Sequence, residues 1–471
     1  MHDLMRLYAD ELCREKESPA HREAATDRLL DHYGATAIAA DSHLLHGARP
    51  LPRFADRAAA LAWLDAEHPN LFAAVLAAPA LNRPRAQLAL YGPLSAYLAF
   101  RRRLGDNADL AEAAIRTVRG SRDPALRGLE TPLLTELGNA LRELRRFDEA
   151  LDAHRKALKR SRGDRVAEAG ALSNLGLTYE QMRRPAEAVD VLEEALAVCP
   201  DGAAPRLRGM IHANLGLALQ ALRRLPEAAD ALRTDIAICR SLDDRPGEAV
   251  SLNNLGLVLR DQGRHAESAQ TFRTALDLAR EVDDRFTAAL AQANLTLATA
   301  LAADPAGGGP DVDAIGGALS ALDTMGDAHM VAQVRVDLGP VLLRSGQPAE
   351  AVAVLTAALE TAREQHDPRT QALALANLGL AREELGDDEA AVRDDTEAVR
   401  LFHEIGERFL EARALVNLGL LLRRTGPADA ACRAFADAAE TFRELGDQEA
   451  EDRARRLLAQ AREQGGHRST R

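Results

Sequence analysis

Six residues, Leu252-Asn253-Asn254-Leu255-Gly256-Leu257, contain the unit from which this chain is built. Their last four, N-L-G-L, also stand at 174–177, 214–217, 377–380 and 417–420, with near copies N-L-T-L at 294–297 and D-L-G-P at 337–340. Taking the glycine as anchor gives Gly138, Gly176, Gly216, Gly256, Thr296, Gly339, Gly379 and Gly419, at steps of 38, 40, 40, 40, 43, 40 and 40 residues. A period of that size means stacked supersecondary units, none of which can bury its apolar face alone. Other positions keep the register. Twelve residues past the anchor stand Ala150, Ala188, Ala228, Ser268, Ala351, Ala391 and Ala431; nineteen past it stand Ala157, Ala195, Ala275, Ala358, Ala398 and Ala438, with Asp235 as the exception. Small residues there let two helices approach, and the large residue at plus sixteen (Leu192, Leu232, Phe272, Leu355, Phe435) fills the space between them.

Composition agrees with helix. Hydrophobic residues make up 46% of the 471 but aromatics only 3%, and Ala, Leu, Arg and Glu dominate. These lose little rotamer freedom in a helix, and long alternating strand patterns are missing. The chain is expected to be all-α.

The pattern resembles the tetratricopeptide repeat, a helix-turn-helix unit with L-G on its first helix and A…F…A on its second. That resemblance implies a right-handed α-solenoid of about eight hairpins over residues 131–447, preceded by a small helical region. The usual repeat has about 34 residues; a step of 40 allows two helices of about 16 residues plus turns. In this the chain looks like the long-repeat subgroup of kinesin light chains and LGN-type scaffolds. Turns within repeats are legible at Arg145–Asp148, Arg183–Ala186, Gln262–His265 and Ser345–Pro348. Those between repeats carry Asp164, Asp244, Asp284, Asp327, Asp367, Glu407 and Asp447, which suit the start of the next helix. After Asn294-Leu295-Thr296 one repeat is broken by Ala303–Pro310, rich in glycine and proline, and a protruding loop is expected there. Residues 448–471 are expected to form a capping helix and a disordered basic tail holding Arg453, Arg455, Arg456, Arg462, Arg468 and Arg471.

The asparagine two before each anchor needs its own reason, because Asn costs roughly half a kcal/mol in a helix against Ala. By family resemblance this position faces the concave groove, where an amide can both donate to and accept from a bound peptide backbone. Asn174, Asn214, Asn254, Asn294, Asn377 and Asn417 would then form a ladder for an extended segment. The alternative is that each amide braces the neighbouring repeat, and both readings stand. Leu177, Leu217, Leu257, Leu380 and Leu420, one past the anchor, either add an apolar stripe to the groove or pack under the adjacent helix. Arg260, Arg344, Arg423 and Arg424 hint at an acidic segment toward the C-terminal half.

No chemistry of a catalyst is visible. None of the three lysines (Lys16, Lys156, Lys159) follows a glycine, so no phosphate-binding G-K-[ST] loop occurs. Asp41, His43 and His46 could touch one metal ion, but read better as a solvated helix face. An enzyme is not expected, nor a cofactor or a metal. The net charge of −13 argues against direct nucleic-acid binding. No apolar run of about 18 residues is present, so no membrane span is expected. Four scattered cysteines suggest neither a zinc site nor a disulfide framework, and a reduced cytoplasm fits them.

The first residues, Met1-His2-Asp3-Leu4-Met5-Arg6-Leu7-Tyr8-Ala9, resemble the M-H-D motif that ends the winged-helix part of NB-ARC-type STAND ATPases. With L-L-D-H-Y at 29–33 and A-L-A-W-L-D-A-E-H-P-N-L at 60–71, the chain is similar to the AfsR-like regulators of actinobacteria. The resemblance implies a remnant over 1–17, a helical linker region over 18–84 and a degenerate first repeat over 85–130. In that family the ATPase core would precede Met1. The chain is therefore expected to be the C-terminal sensor half of such a regulator, a reading frame beginning inside one, or a stand-alone relative. Its partner would be a protein or peptide. The competing readings are a receptor for a small signalling molecule or peptide pheromone, and an assembly scaffold for another enzyme.

Overall fold

The structure, a computed structural model, describes residues 3–44, 50–101, 103–202, 204–302, 316–317, 320, 328–426 and 428–468. The chain forms two compact units: one holds residues 1–182 and 190–204, the other 183–189 and 205–471. No strand occurs among the described residues. Every long element is a helix, most of them packed as antiparallel hairpins. The loop expected at Ala303–Pro310 lies outside the described residues, as do His2, His46 and the end of the basic tail.

The first unit starts with α1 (Asp3–Lys16), α2 (Pro19–Asp41), α3 (Arg57–Ala77), α4 (Pro84–Phe100) and α5 (Leu104–Gly120). Leu64 and Leu71 of α3, Leu90, Leu94 and Leu98 of α4 and Leu110 of α5 are fully buried in one core. Tyr97, also buried there, donates its hydroxyl to Asp65 at 2.7 Å, so no polar atom of that ring is stranded. After the single turn α6 (Pro124–Arg127) come α7 (Glu130–Glu143), α8 (Phe147–Arg160) and α9 (Arg165–Gln181). Helix α10 (Pro185–Val198) has residues in both units.

The second unit repeats one hairpin. Its pairs are α11 (Pro205–Ala221) with α12 (Leu225–Ser241), and α13 (Arg245–Asp261) with α14 (His265–Glu281). Helix α15 (Arg285–Ala302) follows, then α16 (Ala328–Arg344) with α17 (Pro348–Glu364) and α18 (Pro368–Glu384) with α19 (Asp388–Glu404). The last pair is α20 (Arg408–Thr425) with α21 (Ala428–Glu444), and α22 (Gln448–Arg468) packs onto α21.

The anchor glycine is the notch into which the plus-sixteen side chain of the second helix fits. A Cβ added at Gly216 would stand 2.7 Å from Leu232, and at Gly256 or Gly419 2.6 Å from Phe272 or Phe435. Only a residue without a side chain leaves that room. Two repeats seat a titratable group in the notch: His154 on Gly138 and Asp395 on Gly379. Both ring nitrogens of His154 and Oδ1 of Asp395 are buried without a hydrogen bond. Burial, then the Arg142 charge, lowers the His154 pKa to about 4. Burial, then Glu383 and Asp394, raises that of Asp395 to about 8. At the broken repeat the anchor is Thr296, whose hydroxyl donates back to the Gln292 carbonyl at 3.0 Å.

In most hairpins the reversal falls seven residues past the anchor and takes the left-handed conformation, with φ 60° at Arg145, 61° at Arg183 and Arg223, and 75° at Gly263; in the last hairpin Gly426 has φ −116° instead. At Arg223–Arg224 the next N–H bonds the Leu219 carbonyl at 2.9 Å, which satisfies a carbonyl of the closing turn. Of the acidic residues between repeats, Asp164, Asp244, Asp284, Asp367 and Asp447 accept backbone N–H bonds from the first turn of the next helix. Glu407 makes no such side-chain cap and instead takes Arg369 at 2.8 Å; its extra methylene carries the carboxylate past the cap. Asp327 lies outside the described residues.

Candidate binding face

Which side of the second unit is its inner side follows from reach. Arg260 of α13 donates to Asp337 of α16 at 2.9 Å, passing over α15 altogether. Likewise the guanidinium of Arg223, in the turn after α11, lies 5.7 Å from the ring of Phe409 at the start of α20. Side chains span an intervening element only where the helices converge, so Arg260 of α13 and the minus-two position of α16, Asp337, reach toward the inner side.

On that face the positions minus six, minus two, plus one and plus five are spaced i, i+4, i+7 and i+11, one stripe of an α-helix. Helix α11 offers Met210, Asn214 and Leu217; α13 offers Val250, Asn254 and Leu257; α20 offers Arg413, Asn417 and Leu420. Met210 is 54% and Val250 45% exposed, among the most exposed large apolar side chains of the unit. Sequence reading missed this minus-six position, although the same forty-residue arithmetic would have found it.

The ladder asparagines divide by what they touch. Asn294 is 3% exposed and donates to Oδ1 of Asn253 at 3.1 Å; Asn377 donates to the Val336 carbonyl at 3.2 Å. Both partners sit 41 residues back, on the preceding first helix. These two amides brace the array, and Asn294, expected in the groove, is closed off from any ligand. Asn214 is half-buried and interacts with the rest of the chain. Asn254 and Asn417 are half-buried with no side-chain bond among the described residues. Asn174 and Leu177, also half-buried, belong to the first unit.

Leu217, Leu257 and Leu380 are half-buried, and Leu420 packs against Phe435 and Ala461, under α22. The four arginines expected to read an acidic ligand are engaged within the chain. Arg260 is 19% exposed; burial opposes its charge, but Asp337 and Asp261 outweigh that and raise its pKa. Arg344 donates to the Leu301 carbonyl, Arg423 to Gln460, and Arg424 to Glu383 and Asp388. Arg260 and Arg424 are thus paired with carboxylates of the chain, whereas Arg344 and Arg423 donate to neutral oxygens that leave their charge uncompensated.

Elsewhere, His43 Nε2 lies 3.1 Å from the Leu51 carbonyl, and among the described residues no group of three His, Cys, Asp or Glu is placed to hold a metal ion. Cys199 and Cys239 are buried, and none of the four cysteines is in a disulfide. No described helix is long and apolar enough to cross a membrane.

The tetratricopeptide repeat family model matches residues 130–201, 207–281 and 330–403, and that of anaphase-promoting complex subunit 5 matches residues 403–460. No curated protein sequence matches the chain. Among solved structures, a Rap protein complexed with competence and sporulation factor is similar at 13% identity and a TM-score of 0.50, over 72% of this chain and 99% of that one. The apo form of RapI is similar at 15% identity and 0.49, over 59% and 97%. A STAND protein with a tetratricopeptide repeat sensor from Pyrococcus horikoshii is similar at 14% and 0.41, over 80% and 52%. At such identities the likeness is one of fold. The hairpins within residues 207–281 and 330–403, which carry much of this face, match the tetratricopeptide repeat.

Proposed function

We propose that the inner face of the second unit binds an extended segment of a protein or peptide, as the sensor or partner-binding part of a regulator of the AfsR-like kind. The observation that carries this is the pair of half-buried amides, Asn254 and Asn417, which lack a partner on a face where Asn294 and Asn377 have one. An amide held in a helix without a bond retains one donor pair and one acceptor, the complement of a peptide unit. The exposed apolar side chains of Met210 and Val250 lie four residues before Asn214 and Asn254. The AfsR-like assignment rests on the resemblance of residues 1–9, 29–33 and 60–71.

The test uses a peptide selected from a random library on the full chain, with affinity read by fluorescence polarisation. Asn254→Ala with Asn417→Ala should remove two hydrogen-bonding sites, about 1 kcal/mol each, so Kd rises about thirtyfold while Tm stays within error. Unchanged affinity refutes the ladder. A second reading, a receptor for a small signalling molecule or peptide pheromone, draws support from the Rap protein of similar fold solved with competence and sporulation factor. It predicts compaction in solution scattering when the ligand binds.

A further inference from the structure

The helix packing of the second unit joins each helix to its neighbours or next neighbours along the chain. One side-chain contact does otherwise. The guanidinium of Arg223, in the turn after α11, lies 5.7 Å from the centre of the Phe409 ring at the start of α20, inside the range of a cation–π interaction. The described helices α12 to α19 separate the two residues along the chain. Among them α13, α15, α16 and α18 carry Asn254, Asn294, Asp337 and Asn377, the minus-two positions of the inner face. The contact therefore ties together the two ends of the stretch that bears this face.

Both sides of the contact are held in place. Asp261, at the end of α13, lies 3.7 Å from the Arg223 guanidinium and accepts from the Gln220 amide at 2.9 Å. Phe409 is backed by Phe442, which is 4% exposed, with ring centroids 6.1 Å apart at 73°. Yet the contact is weak. The Arg223 side chain is half exposed, and at such a site a cation over a ring favours the joined state by only about two- to fivefold. Burial, then the Arg223 charge, lowers the Arg413 pKa, so closure also sets two guanidiniums within reach of each other. A contact prepared on both sides but worth so little opens and closes readily.

We propose that Arg223 and Phe409 form a clasp that closes the second unit around its inner face, and that a segment lying between two folded parts of a partner enters only when the clasp is open. The proposal rests on the inner face binding an extended segment, and it adds how access to that face is controlled. A segment with folded matter on both sides cannot thread in from an end, so its entry and its exit wait on the same opening. Weakening the clasp then speeds both alike and leaves the binding equilibrium where it was.

Solution scattering of the full chain without ligand reads the clasp directly. Arg223→Gln and Phe409→Leu should each raise the radius of gyration, and the double variant should raise it no further than the larger of the two, because either change already removes the contact. Stopped-flow fluorescence then follows the library-selected peptide carrying a small folded domain at each end. Arg223→Gln should raise its association and dissociation rates together by about two- to fivefold, with Kd and Tm unchanged. Asn254→Ala should instead raise dissociation and Kd, and leave the radius of gyration at the wild-type value. An unchanged radius of gyration in Arg223→Gln overturns the clasp, whether or not the peptide binds. So does a rise in dissociation alone, which would make Arg223 a ligand contact. If the wild type binds no such peptide while the scattering behaves as expected, the peptide-binding reading falls and the clasp stands.

Discussion

Asp395 is 2% exposed in the notch over Gly379, where its counterparts in five of the other hairpins are leucine or phenylalanine. Its carboxyl titrates near 8 in the folded chain, because burial and the neighbouring charges of Glu383 and Asp394 disfavour the anion, against 3.8 for the ordinary group. A raised carboxyl pKa stabilises fully below the unfolded value and loses that contribution as pH rises toward the folded one. Between pH 5 and pH 7 the folded protein keeps the proton and the unfolded chain does not, so each pH unit costs about 1.4 kcal/mol, about 3 kcal/mol in all. Asp395→Asn keeps the shape and cannot ionise. The stability difference between variant and wild type should therefore grow in the variant's favour by about 3 kcal/mol from pH 5 to pH 7 and level off above pH 8. Repeat arrays open locally, so the readout is hydrogen exchange at the amides of α18 and α19. Compared at each pH, where intrinsic exchange is the same for both proteins, the opening equilibrium should change by about a hundredfold. Glu383, Asp394 and Arg382 remain in both and cancel. A difference that is the same at pH 5 and pH 7 would refute the reasoning.

Gly256→Ala should destabilise by about 2 kcal/mol, because the new methyl would meet the buried Phe272 ring at 2.6 Å. Gly170→Ala in α9, with nothing within 4 Å of the added carbon, should instead stabilise by up to about 1 kcal/mol; Tm shifts of opposite sign in thermal melts check the pair. Asp367 is buried, caps α18 through the Thr370 N–H at 3.3 Å and meets His329 at 3.0 Å. These bonds hold its pKa below the usual carboxylate range against the cost of burial. Asp367→Ala should cost about 2 kcal/mol at pH 7, and the difference from wild type should shrink as pH falls below about 4, where a depressed carboxylate loses its advantage. Urea unfolding at the two pH values measures it.

How far the sequence could be read depends on whether each feature is local in the chain. The anchor glycines, the plus-sixteen side chains and the aspartate caps lie within one or two turns or one hairpin of each other, so fixed offsets expose them. Glu407 failed as a cap because composition cannot say how far a carboxylate overshoots. His154 and Asp395 share the plus-sixteen register, but a polar residue at a position expected to be apolar carries no local signal that it fills the same notch. Arg260 looked like a free cation because its partner, Asp337, is 77 residues away and two repeats on.

The amino-acid order alone determined that this chain is a stack of helical hairpins, because a forty-residue period of notch and knob admits no other way to bury both faces. Tertiary structure alone decided which side chains remain free to meet a partner. Asn254 and Asn294 occupy the same register, yet one amide is unspent and the other is bonded to Asn253. The difference arises from how neighbouring helices approach across 41 residues, a distance that no local spacing encodes.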